Sequence, residues 1–85
     1  MEVYATKTFR RFQRKEGISD AALVAAVDRA DAGLIDADLG GGLIKQRIAR
    51  PGSGKSGGFR TLILFRAGVW GIFCPWFREE RKGQH

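Results

Sequence analysis

The sequence predicts an α+β domain, with two N-terminal helices packed on a small antiparallel sheet in the order β-α-α-β-β-β. Apolar residues recur at helical spacing before Gly33, and after Leu43 they alternate with polar residues at strand spacing. Short turns join the strand-like segments, which favours antiparallel pairing. A chain of 85 residues has room for one domain, so we expect residues 1–85 to form a single unit.

The N-terminal part is predicted to open with a short strand over residues 2–5, followed by a helix. Thr6 or Thr8 can cap this helix, because a threonine hydroxyl accepts a hydrogen bond from an N–H of the first turn. Gly17 is suited to end it, since glycine adopts the left-handed conformation common after helices.

A second helix is predicted to begin at Ser19 and to end at Gly33. Its apolar residues form one stripe, as expected for a helix that packs on a core: Leu23, Ala26, Val27 and Ala30. The following segment, LIDADLGGG at residues 34–42, contains three consecutive glycines and is predicted to be a loop.

Three strands are predicted in the C-terminal half, at residues 43–50, 59–66 and 69–77. In the first, LIKQRIAR, the apolar Ile44 and Ile48 share one face with Gln46, so Lys45 and Arg47 point the other way. In the second, FRTLILFR, Arg60 and Arg66 alternate in the same manner with apolar residues and a threonine.

Residues 49–56, ARPGSGKS, match the loose form of the phosphate-binding P-loop. A P-loop connects a buried strand to a helix, so that the N-terminus of the helix receives the phosphates. Here a glycine pair and a strand follow the match, and no helix begins there. The motif is therefore interpreted as a basic, glycine-rich turn rather than a nucleotide site.

The net charge is +6, and its distribution indicates a polyanionic partner. Six acids and only one base lie between residues 16 and 38. No acid lies between residues 39 and 77, whereas this segment carries Lys45, Arg47, Arg50, Lys55, Arg60 and Arg66. We expect these cations to form a basic surface that no carboxylate neutralises.

Several classes of protein are disfavoured by the residue inventory. No apolar run approaches the roughly 20 residues of a membrane span, so no membrane association is expected. The single cysteine, Cys74, favours the reducing cytoplasm. The single histidine, His85, is the last residue, which leaves few ligands for a metal and no histidine pair for a nuclease. Neither a metal nor another cofactor is expected.

If Lys45, Arg47 and Arg60 share one sheet face, three cations converge where phosphates could bind. Such a cluster could also cleave RNA without metal. The reaction requires removal of the 2′-hydroxyl proton, stabilisation of charge on the phosphorus centre and protonation of the leaving 5′-oxygen.

The segment from about Lys7 to Arg66 resembles the RelE/ParE superfamily of bacterial toxins from type II toxin–antitoxin modules, and more narrowly a short RelE-like branch described as cytotoxic translational repressors. The most specific stretches are GLIDADLGGGLIKQR and RPGSGKSGGFRT. The resemblance implies a metal-independent mRNA interferase that acts on the ribosome, and a cognate antitoxin, expected to carry a helix-turn-helix. It also implies that Lys45 or Arg47 steers or deprotonates the 2′-hydroxyl, and that Arg60 holds the scissile phosphate.

Four further basic residues are expected to contact RNA: Arg50, Lys55, Arg66 and Arg78. The tail at residues 74–85 departs from the family pattern, because Pro75 stands where a tyrosine is expected and Trp76 replaces a glycine. An alternative is therefore a ParE-like or catalytically degenerate toxin, which inhibits a protein such as DNA gyrase or only binds its antitoxin. A nucleic-acid-binding module that is not a toxin is a third, weaker interpretation.

Overall fold

Both helices lie on one face of a five-stranded sheet in the computed structural model, which describes residues 1–49 and 58–74. The elements are β1 (Glu2–Ala5), α1 (Lys7–Glu16), α2 (Asp20–Asp31), β2 (Ala37–Gly40), β3 (Leu43–Ile48), β4 (Phe59–Arg66) and β5 (Trp70–Phe73). The strand order is β1-β5-β4-β3-β2. The predicted α+β class is confirmed. In the described ranges no helix has the length and apolar character needed to cross a membrane.

The sheet is mixed rather than wholly antiparallel. β3, β4 and β5 pair antiparallel as predicted, but β1 pairs with β5 in parallel. The two helices connect β1, at one edge of the sheet, with β2 at the other edge. β1 runs in the same direction as its neighbour β5. The sequence pattern identifies a strand at residues 2–5 but does not specify its partner.

The prediction of a loop over residues 34–42 was wrong for Ala37–Gly40. This segment forms β2 and pairs with β3, with Ala37 opposite Lys45 and Asp38 opposite Ile44. The glycines Gly40, Gly41 and Gly42 all have positive φ and make the turn of the β2–β3 hairpin. They end the strand locally, but they do not prevent the residues before them from pairing.

Both helices begin at predicted residues and α1 ends at the predicted glycine, whereas α2 ends at Asp31, with Ala32 rather than Gly33 as its C-cap. Thr6 caps α1 by accepting a hydrogen bond from the Phe9 N–H at 3.1 Å, and Gly17 ends the helix with φ of 69°. Ser19 caps α2 in the same way, through the Ala22 N–H at 3.1 Å. Local hydrogen-bonding chemistry therefore fixes both helix starts.

Alternation along β3 and β4 separates a core face from an open face of the sheet. Ile44, Ile48 and Ile63 are buried on the core face beneath the helices. The neighbouring residues of β3 and β4, such as Arg47 and Arg60, point to the opposite side, which we call the open face. The predicted orientation of Lys45 and Arg47 away from the core is confirmed.

The β4–β5 hairpin connects the sheet to the end of α2. Residues 67–69 make the turn, with Gly68 at φ of 73°, as the Ala67-Gly68 pair predicts. The Gly68 N–H donates to the Asp31 carboxylate at 2.7 Å. β5 spans Trp70–Phe73, whereas a strand over residues 69–77 was predicted. Residues 75–77 of that prediction lie outside the described residues.

Asp20 joins the start of α2 to α1, and this contact should make stability depend on pH. Gln13 donates to its Oδ1 at 2.7 Å and Arg10 at 2.9 Å. The Gln13 hydrogen bond, followed by the hydrogen bond and positive charge of Arg10, lowers the pKa of Asp20 below its ordinary value of 3.8. A carboxyl group with a lowered pKa in the folded state stabilises that state above its ordinary pKa, and this contribution disappears as the pH falls through the folded pKa.

We therefore expect Asp20→Asn to lower the free energy of unfolding at about pH 6, and the difference from wild type to shrink below about pH 4. Urea unfolding at a series of pH values measures this difference. Asp28→Asn, which removes an exposed carboxylate from the same helix, is the charge-matched control. A difference for Asp20→Asn that stays constant across this range would contradict the interpretation.

Candidate nucleic-acid interface

The pairing of β3 with β4 brings the three predicted catalytic residues together. Arg47 lies directly opposite Arg60, and Lys45, two residues earlier on β3, lies opposite Leu62. Their side chains line one pocket of about 300 Å³ on the open face. Directly opposed residues have Cβ atoms roughly 5 Å apart, a separation at which two guanidinium groups can reach one phosphate.

The pocket also contains a carboxylate, contrary to the expectation of a basic surface without one. Asp36 lines it together with Lys45, Arg47 and Arg60. Asp36 precedes β2, and the unpredicted β2–β3 hairpin folds it back beside β3. Residues 39–77 contain no acid. The hairpin nevertheless brings Asp36, which precedes this segment, beside the cations that the segment carries.

The Asp36 carboxylate is hydrogen-bonded to the backbone of Arg47, whose side chain lines the same pocket. Its Oδ2 accepts the Arg47 N–H at 2.7 Å. On the other side, the Arg29 guanidinium of α2 donates to the Arg47 carbonyl oxygen. The backbone of Arg47 is therefore held from two directions, while its side chain is exposed toward the pocket.

Gln46 determines where Asp36 lies. Its side chain is fully buried, and its Oε1 accepts the Asp36 N–H at 3.0 Å. Its Nε2 donates to the carbonyl oxygens of Ala26 at 3.1 Å and Leu34 at 3.0 Å. The amide thus joins α2, the segment before β2 and β3 in one hydrogen-bonded cluster.

Neither Asp36 nor Gln46 was identified as a site residue from the sequence. For Gln46 a signal was present, because an amide between Ile44 and Ile48 on a predicted core face must find buried partners. For Asp36 no comparable signal existed, since its position depends on the β2 pairing.

Gly58 permits the close approach of β4 to β3 beside Arg47. It has φ of 148°, and an added Cβ would lie 2.8 Å from the Ile48 carbonyl oxygen and 3.3 Å from Cγ of Arg47. A side chain at this position would therefore push against the base of the Arg47 side chain. The geometry of the pocket therefore requires glycine at position 58.

The other predicted RNA contacts do not join the pocket within the described residues. Arg66 is exposed at the far end of β4, six residues from Arg60 and roughly 20 Å away along the strand. It shares the open face with Arg60. Arg50, Lys55 and Arg78 lie outside the described residues.

One family model matches the chain over residues 1–83, and its description is "RelE toxin of RelE / RelB toxin-antitoxin system". The match includes both helices, all five strands and the segments that carry the pocket residues. It also extends through most of the tail, where Pro75 and Trp76 depart from the expected pattern. Comparisons with curated proteins and with solved structures found no match.

Gln46→Leu should destabilise the fold, because it leaves the Asp36 N–H and the Ala26 and Leu34 carbonyl oxygens without this partner. We expect a loss of about 2–4 kcal/mol in the free energy of unfolding. Thr61→Val is the matched control, since it removes only the hydrogen bond from Thr61 Oγ1 to the Gln46 carbonyl oxygen and should cost about 1 kcal/mol. Equal stability of Gln46→Leu and wild type in urea unfolding would refute this assignment.

Proposed function

The chain belongs to the RelE family, the toxins of RelE/RelB toxin–antitoxin systems, and on this basis we propose that it represses translation as a metal-independent, ribosome-dependent mRNA endonuclease. The observation that carries the proposal is the direct pairing of Arg47 with Arg60 beside Lys45 and Asp36. Like charges directly opposite each other on adjacent strands destabilise a sheet. Local arrangements that lower the stability of the fold in this way are typical of functional sites.

Binding follows from the charge and shape of the pocket. Each arginine can donate two parallel hydrogen bonds to phosphate oxygens, and Lys45 adds a compact positive charge. Arg60 is the proposed clamp on the scissile phosphate. Arg47, whose backbone is held by Asp36 and Arg29, is positioned to stabilise the negative charge that grows on the non-bridging oxygens.

Cleavage would be an intramolecular transfer. The 2′-oxygen bonds to the adjacent phosphorus as the bond from phosphorus to the 5′-oxygen breaks, leaving a 2′,3′-cyclic phosphate and a 5′-hydroxyl. Lys45 or Arg47 is the candidate to steer the 2′-hydroxyl or to accept its proton. Asp36 supplies a second basic group in the same pocket. The 5′-oxygen needs a proton donor, and the candidates in the tail are Arg78, Arg81 and Lys82.

The family implies an antitoxin as partner. We propose that the cognate antitoxin is a helix-turn-helix protein with an acidic or amphipathic segment. Carboxylates of that segment would occupy the pocket of Lys45, Arg47 and Arg60, which excludes the mRNA phosphates. Ribosome and mRNA are the proposed targets, and both are found in the cytoplasm.

Arg60→Ala tests the endonuclease. Loss of one positioned donor to the reacting phosphate typically lowers the rate by about 10²–10³. The variant should therefore relieve growth arrest and remove the cuts that mapping of mRNA 5′ ends detects after induction. Arg11→Ala is the matched control, because it deletes an exposed arginine from α1, and its cuts should persist.

Two results would contradict the endonuclease. Cuts that persist unchanged in Arg60→Ala would place the chemistry elsewhere. Growth arrest by the wild type without any cuts would favour the alternative of a ParE-like or degenerate toxin, for which Pro75 is the supporting observation.

A further inference from the structure

We propose that the open face holds a second subsite, in which Tyr4 and Trp70 stack an unpaired base of the bound strand, several nucleotides from the phosphate held by Arg60. The subsite rests on the proposed function, because it needs a single strand of nucleic acid on this face. It adds a contact to the base, whereas the pocket contacts the phosphate.

Strand register brings these side chains to one end of the open face. Trp70 lies opposite Arg66 on β4 and opposite Glu2 on β1. Tyr4 is two residues from Glu2 and lies opposite Ile72 of β5. Since paired residues share a face of the sheet, Arg66, Trp70 and Glu2 lie on the open face. Tyr4, two residues after Glu2 on the edge strand β1, lies on the same face, and at the sheet edge it also lines a pocket with Arg10 and Leu23 of the helices.

The two rings are accessible on adjacent strands. Tyr4 is 51% exposed, and Trp70 is half-buried on the open face. The Tyr4 hydroxyl donates to the Glu2 carboxylate, which restricts the orientation of the ring. Accessible aromatic rings on a sheet face are the usual platform for unpaired bases, because every base has a π-face to stack.

The charges at the Trp70 end of the open face would orient the bound nucleic-acid strand. Arg66 on β4 is positive, Glu2 on β1 is negative, and Trp70 lies between them. Phosphates are therefore attracted to the β4 side and repelled from the β1 side. A backbone that follows β4 from Arg60 to Arg66 would direct its base over Trp70 toward Tyr4.

The surface between the two ends is compatible with this path. Leu62 and Leu64 separate Arg60 from Arg66 on the same face of β4. These leucines place no carboxylate beneath the bound nucleic-acid strand. An apolar surface also suits a protein partner, but the arginines at both ends of β4 and the continuity with the phosphate pocket favour nucleic acid.

The test compares base-bearing and abasic oligonucleotides. A 2′-O-methyl oligoribonucleotide cannot be cleaved by its own 2′-oxygen, so binding is measured apart from chemistry. Replacing one nucleotide at a time by an abasic unit keeps every phosphate and removes one base. Binding is followed by anisotropy of a labelled strand at low salt. In a Trp76→Phe background Trp70 is the only indole, and quenching of its fluorescence reports stacking.

We expect one abasic position to weaken binding by about tenfold and to abolish the quenching. Trp70→Leu should bind base-bearing and abasic strands equally, and Tyr4→Leu should reduce the difference. Val69→Ala, which shortens an exposed apolar neighbour, should keep the wild-type preference. Thermal melting of each variant verifies that it is folded.

Two outcomes would overturn the subsite. In the first, every abasic strand binds as tightly as the base-bearing strand, although Arg60→Ala still weakens binding. This result would support the phosphate pocket and exclude the base-stacking subsite. In the second, Trp70→Leu loses antitoxin binding and retains base preference, which assigns the aromatic pair to a protein interface. Binding that is insensitive to Arg60→Ala would instead count against the proposed function.

Discussion

The buried amide of Gln46 is the constraint on which the arrangement of the site depends. A side chain with no exposure must satisfy its own hydrogen-bonding groups, and Gln46 does so with Asp36, Ala26 and Leu34. The same bonds fix the chain between α2 and β2. The carboxylate of Asp36 therefore faces Arg47 as a direct consequence of how the core is satisfied.

The stability of the fold and the proposed function depend on opposite faces of the sheet. Beneath the helices, apolar side chains such as Ile48 and Ile63 are fully buried and hold the sheet together. On the open face, Arg47 and Arg60 oppose each other at a cost that the core must offset. Hydrogen bonds with Asp36 and Arg29 hold the backbone of Arg47, and a charged group that is held in place before its ligand binds is the basis of electrostatic preorganisation.

Local chemistry made much of the fold predictable from the sequence, but not the long-range pairings. Thr6, Gly17 and Ser19 act on their own helices, and the alternation in β3 fixes which side chains point outward. The partner of β1 and the pairing of β2 depend on residues distant in sequence. The candidate site was predictable to the same extent, since strand alternation predicts that Lys45, Arg47 and Arg60 point away from the core, whereas the position of Asp36 depends on the β2–β3 hairpin.

The claim that nucleic acid binds the open face at the Arg47–Arg60 end is tested most directly by amide chemical-shift mapping during titration with a non-cleavable 2′-O-methyl strand. We expect the largest shifts at Asp36, Lys45, Arg47 and Arg60, and little change along the exposed side of α1. Shifts concentrated on the arginines of α1, with β3 and β4 unaffected, would contradict it.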